Sequence, residues 1–246
     1  MRGGADVKPA VVFETGETLS VAQEGDWLIA RFAAPQRVAS WAIVGGGVRR
    51  ASAVAWLQVR DGDLRPPVDA CDLLRDRLAM RGLGGAVGLM TSADVARYVD
   101  ETRVWGGQRA RCVVTVGLGN ALRAGDPPGP AARIGTINVL CAIDAPLSDE
   151  ALLEAMALAT EARTLAVREA DIPSPRTGLP ASGTGTDCVV IAAPAPSLGT
   201  NGAKNANGAA RYAGKHTELG HLIGASVFDA VERGIAGWRA AIGGPR

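Results

Sequence analysis

The chain has 246 residues and a formal net charge of +1, because 26 lysine and arginine side chains nearly balance 25 aspartate and glutamate side chains. A chain of this length can bury a sizeable core without disulfides or a structural metal. Its balanced charge argues against nucleic acid or an anionic membrane surface as the partner. Aromatic residues make up only 4% of the chain, so Val, Leu, Ile and Ala must form most of the core.

Short apolar runs that are rich in β-branched residues predict strands along the whole chain. These runs lie at 7–13, 27–32, 41–44, 51–59, 86–90, 111–118, 136–143 and 188–193. Apolar residues at helical spacing predict three helices: one over 70–81, one that Ser148 caps and that runs to about Glu169, and one that starts near Thr217. We therefore predict an α/β fold, a single domain whose mixed β-sheet is flanked by at least three helices.

Glycine is abundant, with 32 residues, and it falls into clusters beside the predicted strands. The clusters are Gly45-Gly46-Gly47, Gly82 to Gly88, Gly117-Leu118-Gly119 and Gly183-Thr184-Gly185. Glycine at a strand end permits a sharp turn or a close approach of the backbone to a ligand. A genome that is rich in G and C would also raise the glycine content, and this alternative stays open.

The N-terminus has no apolar segment of the kind that a secretory signal carries, and no apolar run approaches the ~18 residues of a membrane span. The cysteines are far apart, at Cys71, Cys112, Cys141 and Cys188, so reduced, buried thiols are expected rather than disulfides. We expect a cytoplasmic protein that binds neither nucleic acid nor a membrane. A homo-oligomer is compatible with the sequence.

Common catalytic and nucleotide-binding motifs are absent from the sequence. It contains no phosphate-binding Gly-x-x-x-x-Gly-Lys-Ser/Thr loop, no complete dinucleotide fingerprint and no Gly-x-Ser-x-Gly elbow. Neither Cys-x-x-Cys nor His-Glu-x-x-His occurs, and His216 and His221 are five residues apart, a spacing at which both cannot face one metal from a regular helix. No metal site is therefore expected.

The densest polar segment is Ser-Gly-Thr-Gly-Thr-Asp at 182–187, directly before a predicted buried strand. Thr184 or Thr186 is a candidate nucleophile, and Asp187 is the candidate group that orients or deprotonates it. The backbone amides at the two glycines are candidate donors to an oxyanion. A tight turn in which these side chains bond only to each other is the alternative.

A second polar segment precedes the last predicted helix and contains Lys215, His216 and Thr217. Histidine titrates near neutral pH, so His216 is a candidate general acid or base. Lys215 is a candidate for binding or for stabilising negative charge. An ordinary helix start with an exposed Lys-His pair is the alternative.

Further polar residues follow or interrupt the predicted strands, and residues at several strand ends can converge on one site. Glu161 lies on the second predicted helix, where an exposed helix face is the alternative explanation. The candidate substrate-binding residues are Thr91, Asp94, Asn120, Thr136, Asn138, Glu161, Gly183, Gly185 and Lys215.

These residues lie in blocks that resemble the adenosylcobinamide amidohydrolases, the CbiZ family. The blocks occur in family order and cover about residues 38 to 235, whereas the first ~35 residues carry no match of this kind. They are Gly88 to Val95, Gly117 to Asn120, Gly135 to Asn138, Ala159 to Thr164, Gly183 to Asp187 and Gly214 to Gly220. The resemblance divides the chain into N-terminal strands at 1–37, an amidohydrolase domain at 38–238 and a C-terminal tail at 239–246.

The resemblance implies a role in the salvage of incomplete corrinoids. Family members hydrolyse the amide between the aminopropanol arm and the corrin ring of adenosylcobinamide, which yields adenosylcobyric acid and 1-amino-2-propanol. The corrinoid and its cobalt would be the substrate, and no separate cofactor is expected. A corrinoid-binding protein without hydrolytic activity, or an acyltransferase that uses the same Gly/Thr-rich site, is the alternative.

Catalytic roles are our own hypotheses, because the resemblance supplies none. Asp187 with Thr184 or Thr186 would form the nucleophilic side of the site, whether a hydroxyl or an activated water attacks. His216 would transfer the proton. The backbone amides at 183–185 would hold the oxyanion.

Overall fold

Ten β-strands and three α-helices make up the part of the chain that the computed structural model describes, residues 17–60, 62–129, 134–196 and 208–243. In chain order the strands are β1 (Leu19–Glu24), β2 (Trp27–Ser40), β3 (Gly47–Gln58), β4 (Val87–Thr91), β5 (Val99–Trp105), β6 (Gln108–Val116), β7 (Ala121–Leu122), β8 (Ile137–Ile143), β9 (Gly183–Thr184) and β10 (Cys188–Ala193). The helices are α1 (Ala70–Met80), α2 (Asp149–Glu169) and α3 (Glu218–Gly243). The strand predicted at 7–13 lies outside the described residues.

Each helix begins at a side chain that satisfies unpaired backbone amides of the first turn. The carboxylate of Asp69 accepts bonds from the first turn of α1. Ser148 Oγ accepts a bond from the Ala151 amide at the start of α2, at 3.1 Å, and Thr217 Oγ1 accepts one from the Gly220 amide at the start of α3, at 2.9 Å. The predicted starts of α2 and α3 are therefore confirmed.

An eight-stranded sheet forms the centre of the fold, in the order β4-β3-β2-β10-β8-β6-β5, with β1 also paired to β2. Strands β10 and β8 run parallel, as do β3 and β4, and the other pairs are antiparallel. The sheet is mixed and three helices accompany it, so the predicted α/β fold class is confirmed.

The long strand β2 shapes the sheet. Its first half pairs with β1 and its last residues pair with β10, on the flank opposite to β3, and the register shifts between Arg31 and Gln36. The sheet curves so strongly that β4 and β8 touch although three strands lie between them. Asn138 Nδ2 of β8 donates to the Met90 carbonyl of β4 at 2.7 Å.

Successive side chains of a strand point to opposite faces of the sheet. Alternate residues of the central strands therefore pack in two different cores. Val139 and Ile191 pack in the core that α2 and α3 cover, whereas Leu140 and Val190 pack with Trp56 in the core inside the curved sheet. The helices thus cover one face of β8 and β10. The amino ends of both parallel strands lie at one end of this layer.

The segment at 41–44, predicted as a strand, forms instead the turn of the hairpin between β2 and β3, so that prediction is wrong. Gly45 and Gly47 have φ angles of +71° and +86°, a backbone conformation that glycine adopts readily. The chain therefore reverses here, and Ser40 pairs directly with Gly47.

The four cysteines form no disulfide; Cys112, Cys141 and Cys188 are buried and Cys71 is half-buried. Among the described helices, none combines the length and the apolar composition that a membrane span needs.

Candidate active site

The carboxylate of Asp187 is the centre of a hydrogen-bond network at the amino ends of β8 and β10. Its Oδ1 accepts bonds from the Ile137 amide at 2.9 Å and from the Thr184 hydroxyl at 2.5 Å. Its Oδ2 accepts bonds from the Thr184 amide at 2.9 Å and from Arg163 Nη1. Only 6% of the Asp187 side chain is exposed, so the protein supplies nearly all of its surroundings.

Arg163 reaches Asp187 from the middle of helix α2. Its guanidinium also donates to the Ser182 carbonyl at 3.3 Å, and its Nε is buried without a hydrogen-bond partner among the described residues. A buried ion pair must offset the cost of removing two charges from water. Here the additional donors around Asp187 contribute to that compensation.

Gly183 makes the contact between the two charged groups possible. A Cβ atom at this position would overlap the guanidinium of Arg163 and would lie against Oδ2 of Asp187. Because glycine has no side chain, the two charged groups can come into contact. This is the steric reason for a glycine at position 183.

Thr184 and Asp187 have the geometry of a hydroxyl beside its base. The Thr184 hydroxyl donates to Asp187 Oδ1 at 2.5 Å and lies 3.4 Å from the Thr186 amide, which donates to it. Arg163 orients the carboxylate from the other side. A nucleophile, a base and a group that orients the base are the elements of an activated hydroxyl site.

Two threonines connect the segments that lead into β8 and β10. Thr136 Oγ1 donates to the Thr186 carbonyl at 2.8 Å, and Thr186 Oγ1 donates to the Gly135 carbonyl at 3.1 Å. Asn138 follows in β8 and is 1% exposed. Its bond to the Met90 carbonyl connects this network to the end of β4.

Asn120 joins the network through close packing against glycine. A Cβ atom on Gly185 would lie 2.9 Å from Asn120 Nδ2, and one on Gly135 would lie 2.7 Å from the Asn120 backbone nitrogen. The structure thus brings together eight of the residues predicted from the sequence. They are Asn120, Thr136, Asn138, Gly183, Thr184, Gly185, Thr186 and Asp187.

Thr91 and Asp94 lie near the end of β4 and serve local structure there. Thr91 is 1% exposed, and its Oγ1 accepts a bond from the Ala93 amide at 3.0 Å. Asp94 is exposed, caps a short 3-10 helix through the Ala96 amide at 3.0 Å, and pairs with Arg97 at 3.5 Å. Their proposed contact with substrate stays a prediction.

Glu161, Lys215 and His216 are exposed on the side of α2 and the loop before α3. Lys215 and Glu161 form an ion pair with each other. In the described part of the chain, no hydrogen bond or ion pair links His216 to Thr184 or Asp187. The structure therefore places the predicted proton donor outside the Asp187 network.

Sequence reasoning missed Arg163 and Trp41. Arg163 stands among Ala159, Ala162 and Ala166 on the buried side of α2, and an arginine in such a stripe was the available signal. Trp41 Nε1 donates to the Asp187 carbonyl at 2.7 Å, a contact with no signal in the sequence.

Two further groups beside Asp187, the Cys188 thiol and the Thr184 amide, are limited in the catalytic roles open to them. Burial raises the pKa of the Cys188 thiol, next to Asp187, to about 11, so this thiol is protonated at neutral pH and is a poor nucleophile. The Thr184 amide already donates to Asp187. This amide is therefore not available to donate to an oxyanion at the expected site, 183–185.

A metal site is not evident in the residues described: across 17–60, 62–129, 134–196 and 208–243, no three His, Cys, Asp or Glu side chains come together as ligands would.

Comparison with known proteins gives two partial relatives. An adenosylcobinamide amidohydrolase of Methanosarcina mazei is 36% identical over 105 residues, which are 42% of this chain and 48% of that protein. An uncharacterized protein of Methanocaldococcus jannaschii is 34% identical over 103 residues, which are 42% of this chain and 36% of that protein. The match thus spans less than half the length of either relative.

Solved structures of low sequence identity resemble the chain over most of its length. The L-aminopeptidase D-Ala-esterase/amidase of Ochrobactrum anthropi, described as a variant of the Ntn hydrolase fold, covers 91% of this chain and 83% of its own, with 13% identity and a TM-score of 0.43. A protein of Pyrococcus horikoshii covers 90% of this chain and 82% of its own, with 11% identity and a TM-score of 0.44.

The family comparison is much more extensive than the two pairwise matches. The model of the CbiZ family, described as adenosylcobinamide amidohydrolase, matches residues 12–242. This match begins well before the resemblance noted in the sequence and covers the whole network around Asp187. The chain therefore belongs to the CbiZ family of adenosylcobinamide amidohydrolases.

Proposed function

We propose that this protein hydrolyses the amide between the aminopropanol arm and the corrin ring of adenosylcobinamide, a step in corrinoid salvage. Water is consumed, and adenosylcobyric acid and 1-amino-2-propanol are released. The family match over residues 12–242 carries this proposal. The hydroxyl–carboxylate–guanidinium arrangement of Thr184, Asp187 and Arg163 supports it, because amide hydrolysis needs an activated nucleophile.

Thr184 is the nucleophile in this proposal and Asp187 is its base. The hydroxyl proton moves to Asp187 along the existing 2.5 Å hydrogen bond while the oxygen attacks the amide carbon. The C–N bond then breaks, and the leaving amine takes a proton from His216. Water then attacks the ester carbon and gives a proton to His216, the acid is released, and Asp187 returns its proton to the Thr184 oxygen. An attack by water itself, activated by the same carboxylate, is the variant that the experiment below separates.

The other catalytic and binding roles are assigned from where each residue lies relative to Thr184 and Asp187. Gly185 is assigned to the oxyanion, since the neighbouring Thr184 amide is occupied by Asp187. His216 is assigned to protonate the amine, and this requires the loop before α3 to approach the bound substrate. Asn120, at the edge of the site, offers an amide group that matches the amide-fringed corrin ring, whereas Asn138, 1% exposed and bonded to the Met90 carbonyl, is assigned to position the start of β8. The cobalt belongs to the substrate.

The test supplies adenosylcobinamide to the purified protein and detects adenosylcobyric acid and aminopropanol by mass spectrometry. Thr184→Val and Asp187→Asn should lose activity, and Thr184→Ser should retain part of it because serine keeps the hydroxyl. Thr102→Val, at an exposed threonine of β5, is the matched control. Unchanged substrate with folded wild-type protein contradicts the proposed function. A fully active Thr184→Val variant contradicts only the threonine nucleophile and favours water.

One observation favours a second candidate, a corrinoid-binding protein without hydrolytic activity. All four acceptor positions of the Asp187 carboxylate have donors from the protein itself, one of them the Arg163 cation, so the carboxylate already serves to hold the turn and helix α2 together. In that case the wild-type protein would change the visible spectrum of the corrinoid, and no product would form.

A further inference from the structure

Trp41 lies at the border of the candidate site, in the turn between β2 and β3. Its indole Nε1 donates to the backbone carbonyl of Asp187 at 2.7 Å. Nevertheless, 47% of the residue is exposed, although large aromatic residues are mostly buried. One edge of the indole is therefore held by the site while much of the ring faces solvent.

The turn that carries Trp41 is also held on its other flank. The Gly88 amide of β4 donates to the Val44 carbonyl at 2.9 Å, and Cys71 Sγ of α1 donates to the Ile43 carbonyl at 3.3 Å. These bonds fasten the turn to two further elements of the fold. A ring on such a turn is ordered before a ligand arrives, which lowers the entropic cost of binding.

The same hairpin end exposes further apolar residues. Ile43 is 52% exposed and Val48 is 59% exposed. A concentration of exposed apolar side chains beside a polar site is typical of a ligand-binding surface. The hydrogen bond between Trp41 and Asp187 fixes this surface at the border of the site.

We infer that Trp41 binds the macrocycle of the corrinoid and thereby positions its aminopropanol amide at Thr184. The inference rests on the proposed function. The macrocycle is much larger than the side chains around Asp187 and must extend beyond them. A pinned, half-exposed indole offers a broad apolar contact for it.

The experiment combines steady-state kinetics with equilibrium binding of adenosylcobinamide, measured by ultrafiltration and corrinoid absorbance. Trp41→Ala removes both the ring and the hydrogen bond, whereas Trp41→Phe keeps an aromatic ring and removes only the N–H donor. Trp105→Ala is the matched control. Trp105 is 56% exposed on the outermost strand β5 and contacts His221, with ring centroids 5.2 Å apart.

We expect Trp41→Ala to raise KM and the dissociation constant about tenfold, the scale of a well-placed aromatic contact. We expect kcat to change little, Trp41→Phe to have a much smaller effect, and Trp105→Ala to match the wild type. Reduced kcat with unchanged KM in both Trp41 variants would overturn the inference, because Trp41 would then act only through its bond to Asp187.

Two other results separate the inference from the proposed function. A wild-type enzyme that hydrolyses the substrate together with an unaffected Trp41→Ala variant overturns the inference and leaves the function intact. A wild-type protein that neither retains nor hydrolyses adenosylcobinamide overturns both.

Discussion

Arg163 of helix α2 and Asp187 at the entry of β10 form an ion pair with only 10% and 6% of their side chains exposed. The pair joins the helical layer to the amino ends of the two parallel strands. The same carboxylate holds the Thr184 hydroxyl. Stability and the proposed chemistry therefore depend on one buried contact.

Replacement of Arg163 tests this dependence. Arg163→Met should lower the free energy of unfolding by about 3–5 kcal/mol, because it leaves a buried carboxylate without its counter-charge, and it should abolish amide hydrolysis. Urea unfolding and the product assay measure the two effects. The matched control is Lys215→Met, which breaks the exposed pair with Glu161 and should cost less than about 1 kcal/mol. If both variants lost the same free energy of unfolding, burial would not be the reason for the larger contribution of the Arg163–Asp187 pair.

Gly183→Ala tests the steric space that the ion pair needs. The added methyl group would overlap the Arg163 guanidinium, so we expect a loss of about 1–3 kcal/mol in the free energy of unfolding and a strong loss of activity. Gly84→Ala is the control, since a Cβ atom there meets no other atom within 4 Å. Thermal unfolding and activity should separate the two variants, and a fully active Gly183→Ala would refute the steric argument.

Removal of the Cys188 thiol should leave the reaction largely intact. Burial raises the pKa of this thiol to about 11, so it is neutral at pH 7 and supplies no thiolate nucleophile. Cys188→Ala should keep kcat within about twofold of the wild type, a barrier change below about 0.5 kcal/mol. Asp187→Asn, at the adjacent position, should be inactive under the same conditions. A Cys188→Ala variant as inactive as Asp187→Asn would assign the chemistry to the thiol.

The buried thiols should also make the fold sensitive to alkaline pH. Burial raises the pKa of Cys141 from its ordinary value of 9.0 to about 12. Between pH 9 and 12 the unfolded chain therefore binds fewer protons than the folded one. The free energy of unfolding should then fall as pH rises, by up to about 1.4 kcal/mol per pH unit for this thiol.

The variant Cys141→Ala should show a shallower decrease of Tm from pH 9 upward than the wild type. Val139→Ala is the matched control, because it removes apolar volume from the same buried strand and leaves the thiol in place. Its Tm should be lower at every pH and should keep the wild-type slope. Parallel curves for all three proteins would exclude the thiol as the cause.

His216→Ala tests whether the exposed histidine takes part in the reaction. Because His216 is assigned to protonate the leaving amine, kcat should fall about 100-fold or more in this variant, as measured in the product assay. His221→Ala, at the histidine that contacts Trp105, is the matched control. An unchanged kcat in His216→Ala would assign the proton to water or to another group.

Local patterns predicted much of the secondary structure. The hydroxyl of Ser148 and the two acids that follow it mark the start of α2, and the apolar run at 188–193 coincides with β10. Strand β5, by contrast, was not predicted. Four consecutive polar or charged residues, 100–103, separate Val99 from Val104 and Trp105, so the alternation that reveals a half-buried strand is missing, and pairing with β6 holds the strand in place.

The site was foreseeable in part for the same reason. Glycines, threonines and Asp187 stand together in sequence, and the short turn between β9 and β10 brings them into contact with one another. Arg163 is 24 residues away from Asp187, on an element whose orientation depends on how α2 packs on the sheet. Trp41 is 146 residues away from Asp187 and meets it only because β2 pairs with β10.

The sequence by itself determined the glycine-rich strand ends, the helix starts, the α/β class and the family resemblance, since each depends on residues that are close along the chain. Only the tertiary structure decided which cation neutralises Asp187, which indole lies beside it, and that His216 stands apart from it. Those relationships depend on the order and curvature of the strands and on the packing of α2. Long-range contacts of this kind are selected by the burial of the whole core, and no short segment encodes them alone.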